Sequence, residues 1–182
     1  MSQIAFEITV IFLLLLANGV FAMAEMAVVA ARKARLRRLA EQGNWNARVA
    51  LDLAESPNRF LSTVQIGITL VGIFAGAFAG ATLAKELASP LARVSLIAPY
   101  AEEIALGVVV VAITYFSLVL GELVPKRFAL SNPEGVAMAL ARPMNWLSRL
   151  ARPLVSLLSV STDALLRLVG FRPEKETAVS EE

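Results

Sequence analysis

The chain contains no cysteine and no histidine. Without cysteine there is no disulfide scaffold, no thiolate metal site and no thiol nucleophile. Without histidine the usual general base, the Ser-His-Asp triad and the commonest zinc ligand are excluded. Charge is scarce too. Only 18% of the 182 residues are Asp, Glu, Lys or Arg, against about 25% in an ordinary soluble domain. The net charge of +2 is too small to grip nucleic acid, and no aromatic-basic platform appears, so no nucleic-acid partner is expected. What remains for chemistry is carboxylates, hydroxyls, amides, Lys, Arg and backbone carbonyls. No covalent chemistry, and hence no enzymatic activity, is expected from them.

What is abundant is apolar surface. Hydrophobic residues make up 57% of the chain and the mean hydropathy is +0.67, beyond the roughly 45–50% of a soluble domain. The lipid bilayer is therefore the first partner. Three apolar stretches stand out, over about 4–31, 60–84 and 104–124. The second carries no formal charge across 25 residues, roughly 37 Å of helix, enough to cross a hydrocarbon core of about 30 Å with tilt. The first is too long for a cleaved signal peptide, starts with Glu7 rather than a basic region, and is followed, not preceded, by positive charge.

Seven Lys and Arg residues lie between the first two spans, eight after the third span core, and only Lys85 and Arg93 between the second and third. The positive-inside bias puts the N-terminus outside and the C-terminus in the cytoplasm, in a multi-pass protein of the cell (inner) membrane. Residues 34–55 read as a basic helical hairpin broken at Gly43. Residues 86–102 read as a short outer loop with Pro90 and Pro99. Residues 135–169 read as two amphipathic pieces divided by Pro143 and Pro153, lying at the interface. A fourth span over 153–171 is disfavoured by Asp163 and Arg167 inside it. The expected fold is an all-α membrane protein, with three transmembrane helices plus cytoplasmic juxtamembrane amphipathic helices. They form a transmembrane domain over 1–171, and the polar stretch 172–182 reads as a linker toward a following domain.

A carboxylate at membrane depth costs about 2.5–3.5 kcal/mol and defaults to a functional role. On the first span Asn18, Ala22 and Glu25 fall at i, i+4 and i+7, on one helical face. Glu25 either serves this face or turns to the interface, where Arg32 is near in sequence. On the second span Ser62, Gln65 and Thr69 share a face. They either bond a neighbouring helix or line a polar cavity. Gly72, Gly76 and Gly80 make two overlapping G-x-x-x-G motifs that permit close helix contact. The third span ends Gly121-Glu122-Leu123-Val124-Pro125-Lys126. Pro125 has no N–H for the carbonyl four residues earlier, which is that of Gly121. That carbonyl is freed beside a carboxylate, an arrangement that lines cavities and binds cations. The alternative is a simple kink with Glu122 paired to Lys126 at i+4. Asn18, Glu25, Thr69, the Gly121 carbonyl and Glu122 are all oxygen donors, a set that suits a hard cation such as Mg²⁺ and excludes a soft one.

The stretch Asn18-Gly-Val-Phe-Ala-Met-Ala-Glu25, the stretch Asn58-Arg-Phe-Leu-Ser-Thr-Val-Gln-Ile-Gly-Ile-Thr-Leu-Val-Gly72, and Gly121-Glu-Leu-Val-Pro-Lys126 followed by Ala129-Leu130 resemble three motifs. All belong to the transmembrane domain of the CorC/cyclin-M family of Mg²⁺ transporters, also called hemolysin-related proteins. The resemblance covers roughly residues 4–170. It implies a homodimer of three-span subunits that moves or regulates Mg²⁺, with Na⁺ as the proposed coupling ion. It also implies cytoplasmic CBS domains that bind ATP after the linker. The family's first-helix motif often carries Ser where this chain has Ala22, so a hydroxyl ligand there is lost. A membrane anchor and sensor regulating another Mg²⁺ channel is the alternative function. A pore-forming hemolysin is disfavoured, because no amphipathic channel-forming repeat is present.

Overall fold

The computed structural model describes residues 3–169, and the linker expected at 172–182 lies outside them. Every regular element among the described residues is helical. They run α1 Gln3–Ala30, α2 Lys33–Glu41, α3 Trp45–Glu55, α4 Pro57–Leu91, a 3₁₀ turn Ala98–Tyr100, α5 Ala101–Leu118, a π turn Val119–Leu123, α6 Val124–Ser131, α7 Pro133–Leu150 and α8 Arg152–Leu168. Three stretches are long and apolar enough to cross a membrane: Ile4–Ala30, Pro57–Leu91 and Ala98–Ser131. The chain is thus a multi-pass membrane protein with juxtamembrane helices.

The local signals are read off the residues. Gly43 takes φ +88°, the left-handed conformation that lets α2 turn into α3. Asn44 then caps α3, its side chain accepting from the Ala47 N–H at 3.1 Å. Asn132 caps α7 in the same way, accepting from the Gly135 N–H at 3.2 Å. Two prolines behave differently from their reading in the sequence. Pro143 lies inside α7 without ending it. The carbonyl it leaves free is that of Ala139, an exposed residue. Pro90 sits in the last turn of α4, so the second span continues past residue 84 and consumes the first third of the expected outer loop.

Packing is uneven along the bundle. At the basic end α1, α2, α3, α6, α7 and the start of α4 enclose one core, with Leu36, Phe60 and Val64 buried among small residues such as Ala27, Ala50 and Ala137. Glu134, at the start of α7, fastens this end. It is buried, accepts the Arg32 N–H and meets the Arg35 guanidinium at 3.3 Å. Toward the other end the core shrinks to Ile11, Leu15, Ala79, Ala84 and Val109. Large apolar side chains such as Phe12, Ile73, Phe74 and Val111 face outward, as they must where lipid is the solvent. Gly72 and Gly76 meet nothing within 4 Å, and Gly80 meets only Leu106 at 3.7 Å. The glycine ladder therefore lines an open groove of about 240 Å³ between α4 and α5 rather than a tight contact within the subunit.

Candidate functional site

The site is built where α1 crosses the π turn. Val124 donates its N–H to the Val119 carbonyl, five residues back. This wider turn comes immediately before Pro125, which cannot donate at all. Gly121 sits inside the turn and is buried. The buried Asn18 of α1 donates from Nδ2 to the Gly121 carbonyl at 3.2 Å. The helices approach closely here, at a glycine on each side. A Cβ on Gly121 would lie 2.9 Å from Asn18 Nδ2, and a Cβ on Gly19 would lie 3.0 Å from the Pro125 ring and 3.2 Å from the Leu120 carbonyl. Asn18 Oδ1 is buried and has no hydrogen-bond partner.

Two carboxylates flank this contact along the chain, Glu122 immediately after Gly121 and Glu25 about two turns along α1 from Asn18. Lys126 Nζ lies 2.8 Å from Glu122 Oε1 and 3.3 Å from Glu25 Oε2. One ammonium thus joins the carboxylate of α1 to that of the π turn. All three side chains are part-buried, from 25% to 40% exposed. The group carries two negative charges and one positive. Among the described residues no cluster of three or more Asp, Glu, His or Cys forms a metal cage; the acidic ligands on offer here are these two.

Four of the five sequence-marked residues fall in two contacts that meet at the Gly121–Glu122 peptide: Asn18 with Gly121, and Glu25 with Glu122 through Lys126. Thr69 is elsewhere. It is exposed and lines an open groove between α4 and α8, with Ser62, Gln65, Ser159, Thr162 and Asp163. The face of α4 turned to α1 at this level is that of Gly67, where a Cβ would lie 2.7 Å from the Phe21 ring. Two residues on, at about 100° each, Thr69 points away from it. Of Lys126 the sequence showed its i+4 relation to Glu122 but not its contact with Glu25. Gly19 was not singled out, although a glycine beside a membrane-buried Asn is a signal for close helix approach.

A profile of the cyclin M transmembrane N-terminal domain matches residues 9–182. The chain belongs to the cyclin M transmembrane family. It is 51% identical over 181 residues to the UPF0053 protein sll0260 of Synechocystis, a match spanning 100% of this chain and 40% of that protein. It is 34% identical over 168 residues to the uncharacterized protein Rv1841c of Mycobacterium tuberculosis, covering 92% of this chain and 48% of the relative. To a protein of Haemophilus influenzae named a polyamine export protein it is 31% identical over 178 residues, covering 96% of this chain and 40% of that protein. The chain spans less than half the length of these relatives.

Proposed function

We propose that this membrane domain carries a cation, with Mg²⁺ as cargo in a cavity reached from the cytoplasm. The observation that carries this reading is Asn18, whose Oδ1 is buried without a partner and whose Nδ2 holds the carbonyl that precedes Glu122, a carboxylate joined to Glu25 through one positive charge. A buried acceptor left unpaired costs about 1–3 kcal/mol, which a bound cation would offset. The Gly121 carbonyl accepts one bond from Asn18 and has a second lone pair to offer. Every donor is oxygen. Mg²⁺ is typically held by one or two carboxylates while keeping several waters, and that is the acidity on offer here. Lys126 is then a tethered stand-in for the cargo, displaced when the ion enters. The charge asymmetry of the loops supports placing the basic end in the cytoplasm, with the N-terminus outside. Na⁺ as coupling ion, a homodimer and CBS domains beyond this chain are supported by the family's known members.

The position of Lys126 favours a second cargo as well. An alkylammonium held between two carboxylates is the contact a polyamine would make, and one relative is named for polyamine export. The test is Glu122→Gln. It should abolish Mg²⁺-dependent thermal stabilisation and Mg²⁺ flux in proteoliposomes. If Glu122 and Lys126 were only an interfacial pair, the change would cost about 0–1 kcal/mol and leave binding intact. Putrescine in place of Mg²⁺ separates the two cargoes. Binding without flux in proteoliposomes would favour the sensor that regulates another channel.

A further inference from the structure

A second charged site lies away from the cation group. The end of α3, the start of α4, the second half of α7 and the first residue of α8 enclose a pocket of about 130 Å³. Arg59, Arg149 and Arg152 line it, together with Asp52, Asn145 and Ser148. Three arginines thus share this pocket with one acidic residue. Among the described residues none of these four charged groups is in an ion pair within 4.0 Å. Arg59 has only a 3.4 Å bond to the Ser56 hydroxyl. Ser148 is 7% exposed, and its hydroxyl is buried without a hydrogen-bond partner. Phe60, 2% exposed, forms part of the pocket wall.

Three like charges brought to one small pocket repel unless an anion is between them. Guanidiniums match the oxygens of a phosphate with paired N–H donors. The Asn145 amide and the Ser148 hydroxyl add neutral donors. The volume admits a phosphate group and little more. The surroundings indicate where such a group comes from. Trp146, Leu150 and Leu154, neighbours of these arginines in sequence, are exposed at 66%, 62% and 44%. An exposed Trp beside arginines at the end of a membrane bundle marks the headgroup level. Basic residues at that level attract anionic lipid.

We propose that this pocket binds a phosphate group, supplied by the headgroup of an anionic membrane lipid. Bound there, it ties α3, α4, α7 and α8 together at the root of the second span. The experiment uses the whole chain in nanodiscs and in detergent. Native mass spectrometry and thermal melting are read with phosphatidylglycerol, with phosphatidylcholine, and with inorganic phosphate at matched ionic strength. Phosphatidylglycerol should bind and raise the melting temperature, and phosphatidylcholine should not. Arg149→Gln combined with Arg152→Gln should weaken binding at least tenfold, while Arg142→Gln, on α7 but outside the pocket, should not. Asp52→Asn removes the one opposing charge and should tighten binding severalfold, a gain that misfolding would not produce. Ser148→Ala should weaken binding without lowering the stability of the free protein. Inorganic phosphate binding with the same dependence on these variants, and no lipid preference, would keep the phosphate site and assign it to a soluble phosphate. Binding indifferent to all the variants, or equal for both lipids with no effect of phosphate, would overturn it.

Discussion

Replacing Lys126 by Met asks whether the lysine and the cargo compete for the same carboxylates. Met keeps the apolar stem and removes the ammonium that now lies 2.8 Å from Glu122 and 3.3 Å from Glu25. Two unit charges 4 Å apart near a protein surface attract by about 4 kcal/mol at an effective dielectric of 20. These side chains are 25–40% exposed, so solvent screening cuts the figure to about 1–2 kcal/mol. That is the cost a cation meets when it pushes the ammonium aside. Removing it should tighten Mg²⁺ binding about 5–30-fold. The empty protein should lose stability at the same time, because two carboxylates are left facing each other without a counter-charge. Calorimetric titration gives the affinity, and melting with and without Mg²⁺ gives the stability of each state. Equal or weaker Mg²⁺ binding in the variant would refute the competition, and with it the placement of cargo between Glu25 and Glu122.

Three further outcomes follow from the geometry. Gly121→Ala puts a Cβ 2.9 Å from Asn18 Nδ2; overpacking of this kind costs about 1–3 kcal/mol, so melting should fall by about 2–4 °C per kcal/mol and Mg²⁺ binding should weaken. At Gly76 an added Cβ meets nothing within 4 Å and the groove of about 240 Å³ has room for a larger side chain, so Gly76→Leu should change the subunit's own melting little, while self-association in detergent should weaken if the open groove receives a second copy; an unchanged dimer would clear the glycines of that role. A cysteine at Ser95 should react with an impermeant reagent added outside cells and one at Asn44 should not; equal labelling of both would overturn the three-span orientation.

Much of the fold was legible because membrane helices advertise themselves. A span needs a long apolar run, and the juxtamembrane helices carry the arginines. Gly43 and Asn44 marked the turn into α3 by chemistry alone. The prolines were harder. A proline breaks a helix only if the freed carbonyl has nowhere to go, and at Pro143 that carbonyl belongs to the exposed Ala139. Whether a carbonyl is exposed depends on which side packs, and that is a tertiary fact. The same holds for the second span. Its charge-free run ends at residue 84, but Lys85 and Glu86 continue the helix as far as the Pro90 turn, since nothing in their backbone preference stops it.

The site was legible as parts and not as a pairing. The Asn18 to Gly121 bond joins residues 103 positions apart, and no periodicity reports a contact of that separation. Both ends were nevertheless marked by cost: an amide at membrane depth on one side, a proline-freed carbonyl on the other. Each is a backbone or side-chain polar group that lipid cannot satisfy, so each had to find a partner. Thr69 carries no such cost. Its hydroxyl is on an exposed face, and a hydroxyl on a helix can return to its own backbone, so spacing alone could not say which neighbour it would meet. Asn18 Oδ1 is the residue of this reasoning. Its amide nitrogen has been satisfied by the π turn and its oxygen has not. The helices around it are held too close for a side chain at Gly19 or Gly121 to fill the gap. An acceptor fixed in place at the Gly121 carbonyl's contact, one peptide from a carboxylate that Lys126 pairs with Glu25, is the feature on which the proposed cation site rests.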